Sequence, residues 1–566
     1  MAKYVPFGKI NIQNREWPDK VIEKAPLWVS VDLRDGNQSL PKPMGVEQKL
    51  EFFDLLVATG FKEIEVGFPS ASETEYTFLR RLIEEKRIPD DVTIQVLCQA
   101  REKLVKKTFE CLQGCKKAIF HIYNSTSPAQ RKYTFNMTKE EIIKVAVDGV
   151  ECVKKAMSSL KGTDLRLEYS PESFSSTEIE YAVEICNAVE AAWNPTPENK
   201  IIFNLPTTIE CATPNIHADQ IEYFCKHINN RDSVIVSLHN HNDRGTGVAC
   251  AELALLAGAE RVEGTLFGNG ERTGNLDIIT TAMNMYVQGV DPKLDFSNLP
   301  SLTDAYKRLT DMPVNPRHPY VGELVFTAFS GSHQDAIRKG MKARKEMMKQ
   351  AQKNGSKDPN NDVTWDVPYL PLDPHDVGRE YEEIIRVNSQ SGKGGAAWIL
   401  EENYGIFCPK AMHPVLGEVV TAEADHLQRE LTAAEIYSIF NKQWMLKKEP
   451  LSLLDLAETH VEGPADNESV LCRTSVSFKG KTYNLGAKGN GPLAAFVAAL
   501  RTSDMQLPSF SITSFHEHSI GTGSDTDAMG YVELTFETGK KVWGAGRSSN
   551  VGRAGINAVI SAINQL

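Results

Sequence analysis

Short apolar, β-branched runs recur along the first half of the chain. They are Trp28-Val29-Ser30-Val31, Ile64-Glu65-Val66-Gly67-Phe68, Ile94-Gln95-Val96-Leu97 and Ala118-Ile119-Phe120-His121-Ile122, followed by Leu165-Arg166-Leu167-Glu168, Ile201-Ile202-Phe203, Val234-Ile235-Val236 and Arg261-Val262-Glu263-Gly264-Thr265-Leu266. Each has the length and residue types of a buried strand. Between them lie segments of helical period, such as residues 48–56 and residues 249–256, the second closed by Gly258 where a helix C-terminus is expected. Alternation of eight strands with helices predicts a (β/α)8 TIM barrel. The competing fold, a doubly wound open sheet, wants a glycine-rich loop after its first strand. Here that strand runs instead into Leu33-Arg34-Asp35-Gly36-Asn37-Gln38.

A barrel of this kind gathers its reactive groups at the carboxyl ends of its strands. Those ends carry Arg34 and Asp35, Gln99, His121, Ser170 and Glu172, Thr207 and Thr208, His239 and His241, and the loop at residues 269–275. Side chains two apart on a strand share a face, so His239 and His241 converge on one point at the strand's exit. A bare H-x-H also fits a pair of surface histidines beside a turn. An acid and two histidines on one rim suit a divalent metal, with Mg first and Mn or Zn as alternatives. Asn275 either adds a neutral oxygen ligand or holds the loop Gly268-Asn269-Gly270-Glu271-Arg272-Thr273-Gly274. That loop reads as site architecture, with a phosphate cradle as the alternative.

At 566 residues the chain exceeds one core. The net charge of -12 argues against a nucleic-acid partner. No apolar run approaches the ~20 residues of a membrane span, and the N-terminus lacks a secretory signal's apolar core. The ten cysteines contain no C-x-x-C pair. Cys111 and Cys115 read as small buried hydrophobes rather than ligands. A reducing, cytoplasmic setting is expected.

The second half is organised differently. Residues 338–357 form a basic helical run, either a surface for CoA phosphates or a solvated helix face. Gly392-Lys393-Gly394-Gly395 precedes an apolar helix and reads as an anion contact or a packing turn. The last hundred or so residues contain a repeat. Residues 476–486 lead through a glycine loop into a helix at 492–500, and residues 534–544 lead into a helix at 555–563. Each copy reads as a ββα unit, a hairpin feeding an amphipathic helix. Neither carries an acid–base constellation, which suggests a sensing or dimerisation module. The expected division is a catalytic barrel at 1–330, a helical linker or lid at 331–445 and an α+β regulatory domain at 446–566.

Several motifs together resemble the 2-isopropylmalate synthase family in its long form. They are D-L-R-D-G-N-Q from Asp32, S-L-H-N-H-N-D-R-G from Ser237, G-N-G-E-R-T-G-N from Gly268, N-S-Q-S-G-K-G-G from Asn388 and G-N-G-P-L-A-A from Gly489. The resemblance implies a metal-dependent Claisen-type condensation of acetyl-CoA with 2-oxoisovalerate, then thioester hydrolysis, as the committed step of leucine biosynthesis. It implies a metal on Asp35, His239 and His241, with Arg34 placing positive charge near the same oxygens. His121, Ser170, Glu172 and Thr208 would line the oxoacid pocket, though Glu172 is alternatively a structural partner of Arg34. His333 and Tyr369 are implied as the base region, from a segment reaching over an active site of a homodimer, with Glu271 a further proton-relay candidate. The C-terminal repeat becomes a leucine-binding domain, with Gly489, Gly491, Leu493 and Ala494 on its first loop and Thr526 and Ala528 on its second. The loop at residues 521–526 is more polar than the family's alanine-rich versions.

Two other readings compete. One keeps the chemistry but changes the oxoacid to pyruvate or 2-oxoglutarate; the latter needs a further cation, and none stands out near these residues. The other is a non-catalytic amino-acid sensor with a degenerate barrel, against which the intact Asp35, His239 and His241 set argues.

Overall fold

The computed structural model describes every residue except 1–6, 100, 329, 382–394, 428, 430, 446, 462–468, 522–525 and 566. The eight runs become β1 (Leu27–Ser30), β2 (Glu63–Gly67), β3 (Thr93–Gln99), β4 (Lys117–Ser125), β5 (Asp164–Glu172), β6 (Ile201–Thr207), β7 (Val234–Asn240) and β8 (Arg261–Gly264). All pair in parallel and in chain order, and β8 returns to β1, closing the barrel.

Local sequence explains the intervening helices. Thr138 and Glu141 form a capping box that starts helix Lys139–Met157. Helix Val46–Thr59 ends on Gly60, whose φ of 107° suits glycine. Gly258, with φ 111°, lies just beyond helix Gly247–Leu256, where the sequence places a stop.

Along each strand, half the side chains face the helices and half face the barrel axis. The helix-facing half is apolar, with Val29, Ile64, Val96, Phe120, Leu167, Phe203, Val236 and Val262 all buried. The axis-facing half is not. Apart from a small cluster of Ile119, Ile202 and Ile235, it carries Glu63, Glu65, Gln95, His121, Glu168, Asn204, Ser237, Arg261 and Glu263, all buried. Arg261 is the hub of this layer. It donates to Glu63 at 2.6 Å, Ser237 at 2.8 Å, Glu263 at 2.9 Å and the side-chain carbonyl of Gln95, and lies 3.3 Å from Glu168.

The described residues fall into two compact units. One holds those up to Phe326 together with Pro371–Tyr381, and the other holds the remainder. In the second unit, helix Gly331–Lys353 carries the expected basic run. Arg344, however, is turned inward. It donates to the carbonyls of Asn360, Val363 and Thr364 and lies over the Trp365 ring, so it is not free for a phosphate.

The C-terminal repeat is present, and each copy carries one strand more than the hairpin its sequence suggests. The first sheet is β9 (Leu451–Val461), β10 (Ser469–Phe478) and β11 (Lys481–Gly489), followed by helix Pro492–Arg501. The second is β12 (Phe510–Ile520), β13 (Asp527–Phe536) and β14 (Lys541–Ser548), followed by helix Val551–Ile563. The units are therefore βββα rather than ββα. The extra strands, β9 and β12, pair with a neighbour on one side only, and each pairing has a register irregularity. A polar edge strand with a slip shows little hydrophobic period. The β10–β11 turn was legible: Lys479 and Gly480 have φ of 50° and 78°, the two-residue geometry that matches strand twist.

Residues of both copies share one apolar core, including Cys472, Val476, Phe496, Leu500, Val532, Leu534 and Val559. The opposite face of the second sheet presents Met529, Tyr531, Trp543 and Ala545 to a further core with Leu400, Leu416, Phe440 and Trp444 of the preceding helices. The outer face of the first sheet has no such cover among the described residues, and Asp455, Ala457, Arg473, Asn484 and Lys488 are exposed there.

Candidate active site and metal centre

The barrel's carboxyl end opens into a cleft of about 290 Å³. Arg34, Asp35, His121, Ser170, Glu172, Thr208, His239, His241 and Glu271 all line it, so nine of the residues singled out from sequence share one wall. Leu97, Tyr123 and Pro206 add an apolar patch.

Asp35 sits in a tight helical turn directly after β1. Its Oδ1 accepts from Arg34 and from Gln38, the latter at 2.7 Å. Its Oδ2 is buried without a hydrogen-bond partner among the described residues and lies 3.5 Å from His239 Nε2 and 3.9 Å from His241 Nε2. The two imidazoles leave the end of β7 with ring centroids 5.3 Å apart. Asn275 is bridged to His241 through the backbone; its side-chain amide donates to the Asn269 carbonyl, while its Oδ1 is buried and has no partner among the described residues. An orphaned carboxylate oxygen, an orphaned amide oxygen and two imidazole Nε2 atoms converging on that carboxylate fit a divalent cation. One ligand atom each from Asp35, His239 and His241 falls within 4.8 Å of the others.

The electrostatics agree. Burial works against ionisation of Asp35, but Arg34 and the facing imidazoles hold its carboxyl far below the usual range. Burial likewise opposes protonation of His239, yet Asp35 and Glu263 outweigh it and lift the imidazole to about 9. His241 goes the other way, to about 4, through burial first and the His239 charge second.

Around this centre, Arg34 donates to Glu65 at 2.6 Å as well as to Asp35, which fixes its guanidinium. His121 Nε2 meets Ser170 Oγ at 2.7 Å. Glu172 does not pair with Arg34, the structural role offered for it as an alternative; it accepts from Ser125, because β4 and β5 run side by side and end on those two residues. Thr208 Oγ1 accepts from the Ser173 amide at 2.9 Å. A further cation does reach the cleft, against expectation. Arg272 lines it, but its guanidinium is bound by Asp243 at 2.6 Å and by the Thr208 carbonyl at 2.5 Å. Glu271 beside it is half exposed.

His333 and Tyr369 belong to the second compact unit, where their rings stack with centroids 4.0 Å apart. Gly491 caps helix Pro492–Arg501, on which Leu493 and Ala494 follow. Gly489 lies so close to that helix that a Cβ would come within 2.4 Å of the Ala495 nitrogen. Ala528 is buried in β13, just after Thr526. Residues 522–525 of the polar loop and Gly392, Lys393 and Gly394 lie outside the described residues. Cys111 and Cys115 are buried and unpaired, as expected of small hydrophobes.

Sequence reasoning missed the layer beneath the site. Glu63, Glu65, Gln95, Glu168, Asn204, Arg261 and Glu263 support the rim residues, and the signal was present. Glu63-Ile64-Glu65-Val66 and Arg261-Val262-Glu263 alternate charge with β-branched residues, the period of a strand polar on one face.

Family comparisons match this architecture segment by segment. Residues 25–305 match the HMGL-like family, residues 323–401 the α-isopropylmalate synthase post-catalytic domain-like family, and residues 430–566 the LeuA allosteric (dimerisation) domain. Over 566 residues the chain is 53% identical to the 2-isopropylmalate synthase of Clostridium acetobutylicum, covering 100% of this chain and 99% of that protein. The chain belongs to the 2-isopropylmalate synthase family. The synthase of Acetoanaerobium sticklandii is 51% identical over 564 residues, covering 100% of this family member and 96% of its relative. That of Azotobacter vinelandii is 50% identical over 565 residues, with 100% and 96% covered.

Proposed function

We propose that this 2-isopropylmalate synthase family member condenses acetyl-CoA with 2-oxoisovalerate and hydrolyses the thioester, releasing 2-isopropylmalate and CoA. The reaction opens leucine biosynthesis and is inhibited by leucine. The observation that carries this reading is the buried Asp35–His239–His241 set at the barrel mouth of a chain matching synthases from end to end. A divalent cation held there, Mg first and Mn or Zn as alternatives, supplies Lewis-acid polarisation of the oxoacid's keto oxygen.

The residues have distinct tasks in this scheme. Asn275 Oδ1 is a fourth donor to the cation. Arg34, clamped by Asp35 and Glu65, is a fixed positive charge that needs no rearrangement as the keto oxygen gains negative charge. His121, Ser170, Glu172 and Thr208 orient the oxoacid, and Leu97, Tyr123 and Pro206 receive its branched alkyl end. That apolar wall, with Arg272 engaged elsewhere, favours 2-oxoisovalerate over a dicarboxylic oxoacid. His333, stacked on Tyr369, is the proposed base for the acetyl methyl proton, and Glu271 a relay at the cleft edge.

We further assign the barrel to 1–330, the linker to 331–445 and the regulatory domain to 446–566. Gly489, Gly491, Leu493, Ala494, Thr526 and Ala528 form the effector loops, in a homodimer. Ten unpaired cysteines support a reducing cytoplasm. Among the described residues, no helix is long and apolar enough to cross a membrane.

The test is oxoacid-dependent release of free thiol from acetyl-CoA, with Mg or Mn and after EDTA. Fastest metal-dependent release with 2-oxoisovalerate is expected. A preference for pyruvate or 2-oxoglutarate would overturn the substrate, and no release by folded, metal-loaded protein would overturn the reaction.

A further inference from the structure

We propose that Glu263, itself held by Arg261, is the positioning residue that presents His239 to the metal. The inference rests on the metal reading above and extends it to residues away from the cleft wall.

An imidazole that ligates through one nitrogen carries its proton on the other, and a buried acceptor there fixes both that tautomer and the ring's orientation. His239 Nδ1 lies 2.7 Å from Glu263 Oε2, which holds a proton on Nδ1 and leaves Nε2, 3.5 Å from Asp35 Oδ2, as the nitrogen that gives up its proton to a cation. Glu263 has no exposed side-chain surface, and both its oxygens are engaged. Oε1 accepts from Arg261 and Gln95, each at 2.9 Å; Oε2 accepts from Asn204 at 3.0 Å and from His239. All four of these partners donate, so toward them this position must offer two acceptors. Glutamine offers one acceptor and one NH2. Turned toward His239, that NH2 forces the imidazole to accept at Nδ1 and moves its proton to Nε2, closing the ligand position. Turned the other way, it opposes Arg261 and Gln95. Among the described residues His241 has no comparable support, since its Nδ1 is buried without a partner. The two histidines are therefore unequal, and the brace acts on one.

The experiment is Mn2+ titration of the full-length protein followed by EPR, with the unfolding of the metal-free form measured in parallel. E263Q should raise the Mn2+ Kd by about 10- to 100-fold. E63Q, which disturbs Arg261 from its other side without touching Glu263 or His239, should leave Kd within about twofold. A normal Kd in folded E263Q, or equal shifts in both variants, would overturn the proposal. Failure of the unaltered protein to bind Mn2+ would instead overturn the metal reading itself. Should E263Q not fold, 15N-histidine spectra of the Zn2+-loaded native sequence decide. A His239 protonated at Nδ1 and coordinated through Nε2 supports the brace; coordination through Nδ1 overturns it.

Discussion

The barrel axis and the C-terminal core are both buried, and they are built from opposite materials. Around the axis, Glu63, Glu65, Glu168 and Glu263 share Arg261 and Arg34. In the C-terminal domain the shared core is aliphatic and aromatic, with Phe496, Val532, Leu534 and Val559 at its centre. Removing a charge from water costs several kcal/mol, and a core that needs only stability does better without it. Ionic side chains at near-zero exposure therefore mark where orientation matters more than cohesion. The axis orients Arg34 and His239; the C-terminal core joins two copies of one unit.

Four sets of variants break or sharpen that contrast. The largest effect belongs to the rim. His239→Ala or Asp35→Asn should lower thiol release by about 10³-fold or more, the loss of roughly 4 kcal/mol of charge stabilisation, with little change in metal-free melting. Retained turnover would remove the metal assignment.

Next, Arg261→Met leaves Glu63, Glu168 and Glu263 without their shared cation and should cost about 3–5 kcal/mol, whereas Phe496→Ala should cost a similar ~3–5 kcal/mol through a cavity. The two differ in consequence. Arg261→Met should also weaken Mn2+ binding. Phe496→Ala should leave the chemistry intact and blunt leucine inhibition. Equal loss of turnover in both would erase the distinction between the cores.

A smaller effect is expected from His217, packed in the barrel against Asn240. Burial pushes it down to about 4. A histidine with a lowered folded pKa stays neutral in the native state, so its contribution is present above pH ~6.5 and is lost as pH falls toward 4, about 3 kcal/mol in all. Urea midpoints between pH 7 and 4.5 should fall less steeply in His217→Leu; identical slopes would acquit this residue. Smallest is Gly480→Ala, which places a side chain at φ 78° and should cost about 1 kcal/mol. Calorimetry should see it only in the C-terminal transition.

The barrel was legible because its helix-facing strand residues are apolar, most of them β-branched, and its breaks carry glycines such as Gly60 and Gly258. The metal centre was legible because His239 and His241 keep strand spacing at a strand's end. Glu263 was legible only as one face of the alternating Arg261-Val262-Glu263; its place against His239 depends on the closed sheet, which turns that face toward the axis. Strands β9 and β12 escaped because an edge strand need not alternate cleanly. The return of Pro371–Tyr381 to the barrel's unit also escaped, since sequence order says nothing of which segment doubles back.

The second C-terminal sheet is packed on both faces, against helix Val551–Ile563 on one side and the helices of residues 395–445 on the other. Cutting the chain near residue 450 would therefore strip Leu400, Leu416, Phe440 and Trp444 as well as remove the repeat. The same arrangement makes the sheet behave as a clutch plate. Close-packed layers slip between discrete arrangements rather than bend, so a small ligand that shifts helix Val551–Ile563 must shift the linker helices or break a seam. Among the described residues the first sheet is bare on its outer side, so the two sequence-related halves of the domain differ in what a shift of their helix would have to move.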